Sequence, residues 1–292
     1  MKRLAAPTHE TARIDLETAV DRYTKRGVVY GAEPSEDDIN AILGLYCAYD
    51  AAGGQWDNAL EASSLSAAVI ASVRHAFTKT YSDGRLAHLR EALLDPNLLC
   101  PFCGIRHCRA LDHFLPKADM GVFAIYARNL IPICDECNNL KGNRLGTVPN
   151  EQFVHAYFDA LPDTPFFRAE VALSGAALNV VIRPDPAVGL SEALFARLTY
   201  QLGALDLDVR YAREMNLYLS SQAPNWPDLY EKAGANGVAN HLARQGEYEA
   251  TQHHQNDWRA VFCRALSAHQ AFCDGGFFNV FTGLTRASEP VE

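Results

Sequence analysis

Cys100, Cys103, Cys134 and Cys137 form two Cys-x-x-Cys pairs, and that spacing carries a definite chemistry. Cysteines with two residues between them can turn both thiolates toward one ion, and two such pairs complete a tetrahedral four-thiolate site. Such a site keeps no open position for a reactive water and so implies structural zinc. The 30 residues between the pairs exceed what a compact zinc ribbon needs, and they include an acid-imidazole pair, Asp112-His113. Asn138 follows the second pair directly. His107 and Cys108 lie in the knuckle loop and could substitute as ligands, although the even pairing favours the four cysteines.

These residue types match what cutting a phosphodiester requires. His113 can take a proton from water, because imidazole titrates near the working pH. The Asp112 carboxylate and the Asn138 side-chain oxygen can hold a hard divalent ion, Mg²⁺ or Mn²⁺, which completes its shell with water and phosphate. Lys117, Lys141 and Arg144 could contact flanking phosphates.

The ordered set Asp112-His113, Leu115-Pro116-Lys117, Asn129-Leu130 and Cys137-Asn138-Asn139-Leu140-Lys141-Gly142 resembles the HNH endonucleases, specifically the ββα-metal (His-Me finger) branch stapled by a four-cysteine zinc site. The resemblance covers about 47 of the 292 residues. It implies that Asn129 is the middle Asn, tying the loop and orienting His113, and that Asp112, His113, Asn129 and Asn138 together form a catalytic site. Many members of that family carry His where this chain has Asn138, and the Asn favours Mg²⁺ or Mn²⁺ over a softer metal. Two other readings stay open: a non-catalytic zinc-finger adaptor binding DNA or protein, and a nuclease acting on RNA, since this chemistry never touches a 2′-OH.

Around the finger, expected at 98–146, the pattern predicts a helical region over 1–97 and a β-hairpin plus helices over 147–292, an α+β fold. Thr11–Arg26 reads as one helix, with Ile14, Leu16, Val20 and Tyr23 on a face. Ser35 followed by Glu36-Asp37-Asp38 starts another that Gly53-Gly54 breaks, and Cys47 on its apolar stripe is expected to be buried. Helices are also expected at 65–80 and 85–94, and strands at 98–102, 111–115 and 130–133. A short helix should run through Asn138 to a stop at Gly142. His155 sits in an aromatic run expected to pack against a core. A hairpin over 166–182 turns at Ser174-Gly175, and helices follow over 191–205, 208–220, 227–249 and 257–272, with Cys263 and Cys273 inside and His253-His254 at the surface. This order of finger, aromatic stretch, hairpin and helices also resembles bacterial HNH proteins encoded beside an ATPase in phage-defence cassettes, such as Septu-type systems.

A net charge of −9 argues against a nucleic-acid partner until its distribution is read. Residues 100–146 hold six basic side chains (Arg106, Arg109, Lys117, Arg128, Lys141, Arg144) against four acidic ones (Asp112, Asp119, Asp135, Glu136), so the finger is +2 and the remainder −11. Such a patch is expected to bind DNA only weakly. No second basic cluster or helix-turn-helix pattern stands out, so a protein partner, an ATPase by the second resemblance, is expected to deliver DNA or license cutting.

Apolar residues at 48% are ordinary for a globular protein. No run of 18 uncharged apolar residues occurs, which argues against a membrane span, and the polar start does not read as a secretory signal. Eight cysteines, four of them paired as metal ligands, suit a reducing cytoplasm better than a disulfide scaffold.

Overall fold

The computed structural model describes residues 1–96 and 98–284; the expected region boundary at 97 lies outside them. About half of these residues are helical, accompanied by three two-stranded antiparallel sheets, an α+β mixture. The chain divides into two compact units, Arg3–Ala160 and a second that runs from Leu161 onward and includes Met1–Lys2. No helix among the described residues is long and apolar enough to cross a membrane.

In the first unit, α1 covers only Ala12–Ala19. The single helix expected to Arg26 gives way to a hairpin, β1 (Tyr23–Lys25) and β2 (Val28–Tyr30). Its two-residue turn, Arg26-Gly27, has positive φ at both positions, 52° and 77°, the turn geometry that matches strand twist. The β-branched and aromatic residues on either side then favour strand over helix. Next, α2 (Glu36–Ala51) begins with the expected cap: Ser35 accepts from the Asp38 N–H while the Asp38 carboxylate accepts from the Ser35 N–H. Its inner face is Ile39, Ile42, Tyr46 and Tyr49. Cys47 falls on the opposite side and is exposed, contrary to expectation, because the buried stripe is set by 3.6-residue spacing rather than by every apolar neighbour.

Helix α3 (Ala67–Ala76) runs into a 3₁₀ turn at Phe77–Thr80, and α4 (Ala87–Leu94) follows. Then come β3 (Ala110–His113), β4 (Leu130–Ile133) and α5 (Asp135–Lys141). The strands pair antiparallel with Asp112 opposite Ile131 and His113 opposite Leu130. The strand expected at 98–102 is reduced to one bridge, Leu99 with His107, that closes the knuckle loop. Aromatic side chains fill the core beneath, with the Tyr46 and Tyr126 rings stacked at 4.1 Å and Tyr49 against Phe123.

The second unit holds the hairpin β5 (Phe167–Ser174) and β6 (Ala177–Pro184), then α6 (Glu192–Ala204), α7 (Leu207–Gln222), α8 (Trp226–Gln252) and α9 (Trp258–Ser267). Trp226, Phe262, Phe272 and Phe277 are buried in its core, with Cys263 and Cys273 beside them. His253 and His254, expected at the surface, are both half-buried, and His254 Nδ1 accepts the Asn256 N–H at 3.1 Å.

Candidate functional site

The sulfur atoms of Cys100, Cys103, Cys134 and Cys137 lie within 4.8 Å of one another, and all four residues are buried. Two short elements deliver them. In the first knuckle, Gly104 takes φ +65°, and its N–H donates to the Cys100 carbonyl, while the Ile105 N–H donates to Cys103 Sγ at 3.4 Å. In the second, Cys134 caps α5, accepting the Cys137 N–H on its sulfur at 3.5 Å. A tetrahedron with metal–sulfur bonds of about 2.3 Å has edges of about 3.8 Å. Cys103 and Cys134 stand 3.8 Å apart, so the quartet fits a zinc ion. Burial pushes the Cys100 thiol well up, so the set needs a cation before all four can ionise. Cys108, half-buried, and His107, exposed, are outside the quartet.

On the face of β3 beside α5, Asp112, His113, Lys117 and Asn138 line one cleft of about 410 Å³, together with Phe77, Tyr81 and Arg90 from the preceding segment. His113 Nε2 is 3.0 Å from the Ala124 carbonyl oxygen. A carbonyl can only accept, so Nε2 carries the hydrogen and Nδ1 is the basic nitrogen. Phe77 meets the imidazole edge-on at 4.4 Å. Burial first, then the Lys117 charge, pushes His113 down to about 3, so the ring is neutral near pH 7.

Burial raises the Asp112 carboxyl above its ordinary range, and the Lys141 charge opposes this. Lys141, expected to face phosphates, instead turns inward from the last turn of α5. It is 1% exposed, with Nζ 2.8 Å from Asp112 Oδ2 and donating to the His113 carbonyl at 3.0 Å. Helix and strand are thereby tied at the point where Asp112 and His113 sit. Asn138 also lines the cleft, and its side chain makes no hydrogen bond among the described residues. A carboxylate and an uncommitted amide oxygen lining one cleft are oxygen donors of the kind a hard divalent ion takes, with Lys141 already on Asp112 Oδ2. Lys117 and Arg144 are exposed, as phosphate contacts would need to be.

Asn129 is fully buried. Its Oδ1 accepts the Leu115 N–H at 2.8 Å, and its Nδ2 donates to the carbonyls of Leu115 and Phe123, each at 3.2 Å. The loop from 114 to 128 is thus fastened next to Ala124, the residue that holds His113. The sequence reading missed what stands behind Asn129. His155 Nδ1 accepts the Tyr157 N–H, so its Nε2 donates to the Tyr49 hydroxyl at 2.9 Å. That hydroxyl in turn donates to Asn129 Oδ1 at 3.1 Å. The one available signal for Tyr49 was a hydroxyl on the inner face of a helix, which must find a partner when buried. Nothing local marks Arg90, Phe77 or Tyr81 as cleft residues, because twenty or more positions along the chain separate them from β3.

The His75 ring stacks on Tyr23 at 3.7 Å, which brings Lys25 of the hairpin near the segment that carries Lys79, with Asp21 beside them.

No protein-family model matches this chain, and no solved structure matches it. Among curated proteins, Protein ea31 of Escherichia phage lambda is similar, 36% identical over 83 residues. That stretch is 28% of this chain and only 26% of the phage protein's length.

Proposed function

We propose that the Arg3–Ala160 unit is a metal-dependent endonuclease of the HNH type that hydrolyses phosphodiester bonds, with DNA as substrate. The observation that carries this reading is the shared cleft: a buried acid, an imidazole with a fixed tautomer and an unpaired amide line one space beside a four-cysteine cluster.

In this reading His113 Nδ1 accepts a proton from the attacking water while the Nε2–H stays on the Ala124 carbonyl, so the ring neither flips nor loses its orientation. An anionic phosphate in the cleft opposes both burial and Lys117, drawing the imidazole pKa up toward a useful range. The water oxygen forms the new bond to phosphorus as the bond to the 3′ oxygen breaks. Asp112 and Asn138 would hold a Mg²⁺ or Mn²⁺, whose charge would stabilise the phosphate and the departing oxygen. Lys141 opposes the burial that raises Asp112 and fixes its carboxylate, and Asn129, backed by Tyr49 and His155, holds the loop that orients His113.

A second reading has its own support. Lys141 already neutralises Asp112, as it would in a closed structural ion pair within a non-catalytic zinc module. Zinc-loaded protein incubated with plasmid, single-stranded DNA and RNA, with and without Mg²⁺ or Mn²⁺, separates the two. Metal-dependent cleavage that His113→Ala abolishes is expected. Absence of cleavage with either metal on every substrate would leave the adaptor reading standing. The phage-defence setting and an ATPase partner rest on resemblance alone, and pull-down from the native host tests them.

A further inference from the structure

The cleft wall includes Phe77 and Tyr81 from the turn after α3, and α3 in turn packs against the β1–β2 hairpin. Lys117 Nζ lies 4.4 Å over the Phe77 ring, and Phe77 neighbours Tyr81, over which Arg90 sits at 5.5 Å. The same segment carries Arg74, His75 and Lys79. His75 then stacks on Tyr23, which stacks on Tyr30 at 5.7 Å across the hairpin. Burial first, then the charges of Lys79 and Lys25, depress the His75 imidazole, with Asp21 opposing.

Two features make this surface more than scattered charge. Among the described residues, Arg22, Lys25, Arg26, Arg74 and Lys117 form no ion pair, whereas Arg85 pairs with Asp21, and Lys79 lies 4.0 Å from it. Segments 22–32 and 71–82 contribute five Lys and Arg residues and no Asp or Glu. The hairpin is also rigidly seated. Ser72 Oγ accepts the Ala32 N–H at 2.8 Å and donates to the Ala32 carbonyl at 2.9 Å. Gly31, at φ +79°, has no room for a side chain, since a Cβ there would stand 2.2 Å from Ser72 Oγ. At the tip, Arg26 holds a left-handed conformation that Asn or Gly would adopt more easily. Charge is presented there against local preference. Tyr30 and Tyr81 are both about half exposed.

We propose that this surface is a nucleic-acid track continuous with the cleft, gripping the strand that leaves it through phosphate contacts at Lys117, Lys79, Arg74, Lys25 and Arg26 and base stacking on Tyr81 and Tyr30. The proposal rests on the phosphodiester reading of the cleft and adds a second set of contacts to it. Because charges screen within about 8 Å at physiological salt, the local excess of cations governs the contact and the overall −9 does not. Half-exposed aromatic rings beside cations suit bases, which stack regardless of sequence.

The test is a salt titration of binding to fluorescein-labelled duplex and single-stranded DNA. Removing three cations in Lys25→Ala/Arg26→Ala/Arg74→Ala is expected to reduce the slope of log affinity against log salt by roughly two to three. The charge-keeping Lys25→Arg/Arg26→Lys/Arg74→Lys variant is expected to retain the slope. An unchanged slope in the alanine variant, or an equal loss in the charge-keeping one, overturns the track. So does displacement of DNA by polyglutamate as readily as by unlabelled DNA. Cleavage of bis(p-nitrophenyl) phosphate by the wild-type protein reports on the cleft by itself, so the two readings can fail separately.

Discussion

Lys141 Nζ stands 2.8 Å from Asp112 Oδ2 inside the protein, with 1% of the lysine residue exposed. An ammonium is buried this completely only when its charge is matched, and a matched pair becomes a liability when one member is removed. Breaking a buried pair costs about 3–5 kcal/mol. In the absence of divalent metal, Lys141→Met is expected to lose stability in that range by urea unfolding. Adding Asp112→Asn should restore more than half of it. No recovery in the double variant would mean that Lys141 acts through its contacts with the His113 carbonyl and the Phe114 and Phe153 rings rather than through charge.

His113→Ala removes the basic nitrogen and no zinc ligand. Loss of a general base lowers turnover by about 10²- to 10⁴-fold, while zinc content and DNA affinity should stay near wild type. Turnover within a few-fold of wild type would exclude His113 as the base.

The two expected metals should separate by mutation. Cys134→Ser is expected to unfold the Arg3–Ala160 unit, because binding at a structural zinc site is worth on the order of 10 kcal/mol in small zinc peptides. Asp112→Ala should still carry one zinc per chain by elemental analysis. Native protein without zinc would refute the four-cysteine centre.

Gly53 and Gly54 both hold positive φ at the end of α2, but only one is crowded. A Cβ on Gly54 would lie 2.4 Å from His155 Cδ2, whereas one on Gly53 meets nothing nearer than 4.0 Å. Gly53→Ala should cost about 1–2 kcal/mol from backbone conformation alone. Gly54→Ala should cost distinctly more and reduce nuclease turnover, since it displaces the His155 ring from Tyr49. Equal costs in thermal unfolding would remove His155 from the support of the loop.

The acid response of the second unit should depend on His254. Burial pushes this imidazole down to about 2, and its Nδ1 is committed as an acceptor. The unfolded chain therefore binds a proton below its ordinary pKa of about 6.5, while the folded chain does not until far lower. Stability is complete above that pH and falls as pH drops toward 2, by up to about 1.4 kcal/mol per unit. His254→Asn, which keeps an acceptor and cannot protonate, should flatten urea midpoints between pH 7 and 5, followed by Trp226 and Trp258 fluorescence. An unaltered slope would assign the acid sensitivity elsewhere.

The cysteine pairs, the Asp112-His113 strand and the helix from Cys134 to Gly142 were legible in the sequence because each is local, with spacing and geometry determined within a few residues. Direction was not. Lys141 reads as a surface cation, and only the packing of α5 on β3 turns it inward. Cys47 reads as apolar, and only the choice of inner face on α2 exposes it. The β1–β2 hairpin was hidden because Val20 and Tyr23 extend the apolar spacing of α1, while the Arg26-Gly27 turn lacks the Asn or Asp that usually marks one. The approach of Lys25 on the hairpin to Lys79 and His75 has no one-dimensional signature at all.

The bonds from Asn129 to Tyr49 and from Tyr49 to His155 join three points far apart along the chain, and this gives the site a place in the order of synthesis. A growing chain that has delivered both cysteine pairs and the acid-imidazole strand still lacks His155 and the Tyr157 amide that sets its tautomer. The loop next to His113 is therefore braced only after translation has passed Tyr157, beyond the second cysteine pair. A prematurely terminated product would carry Asp112 and His113 without the brace behind Asn129.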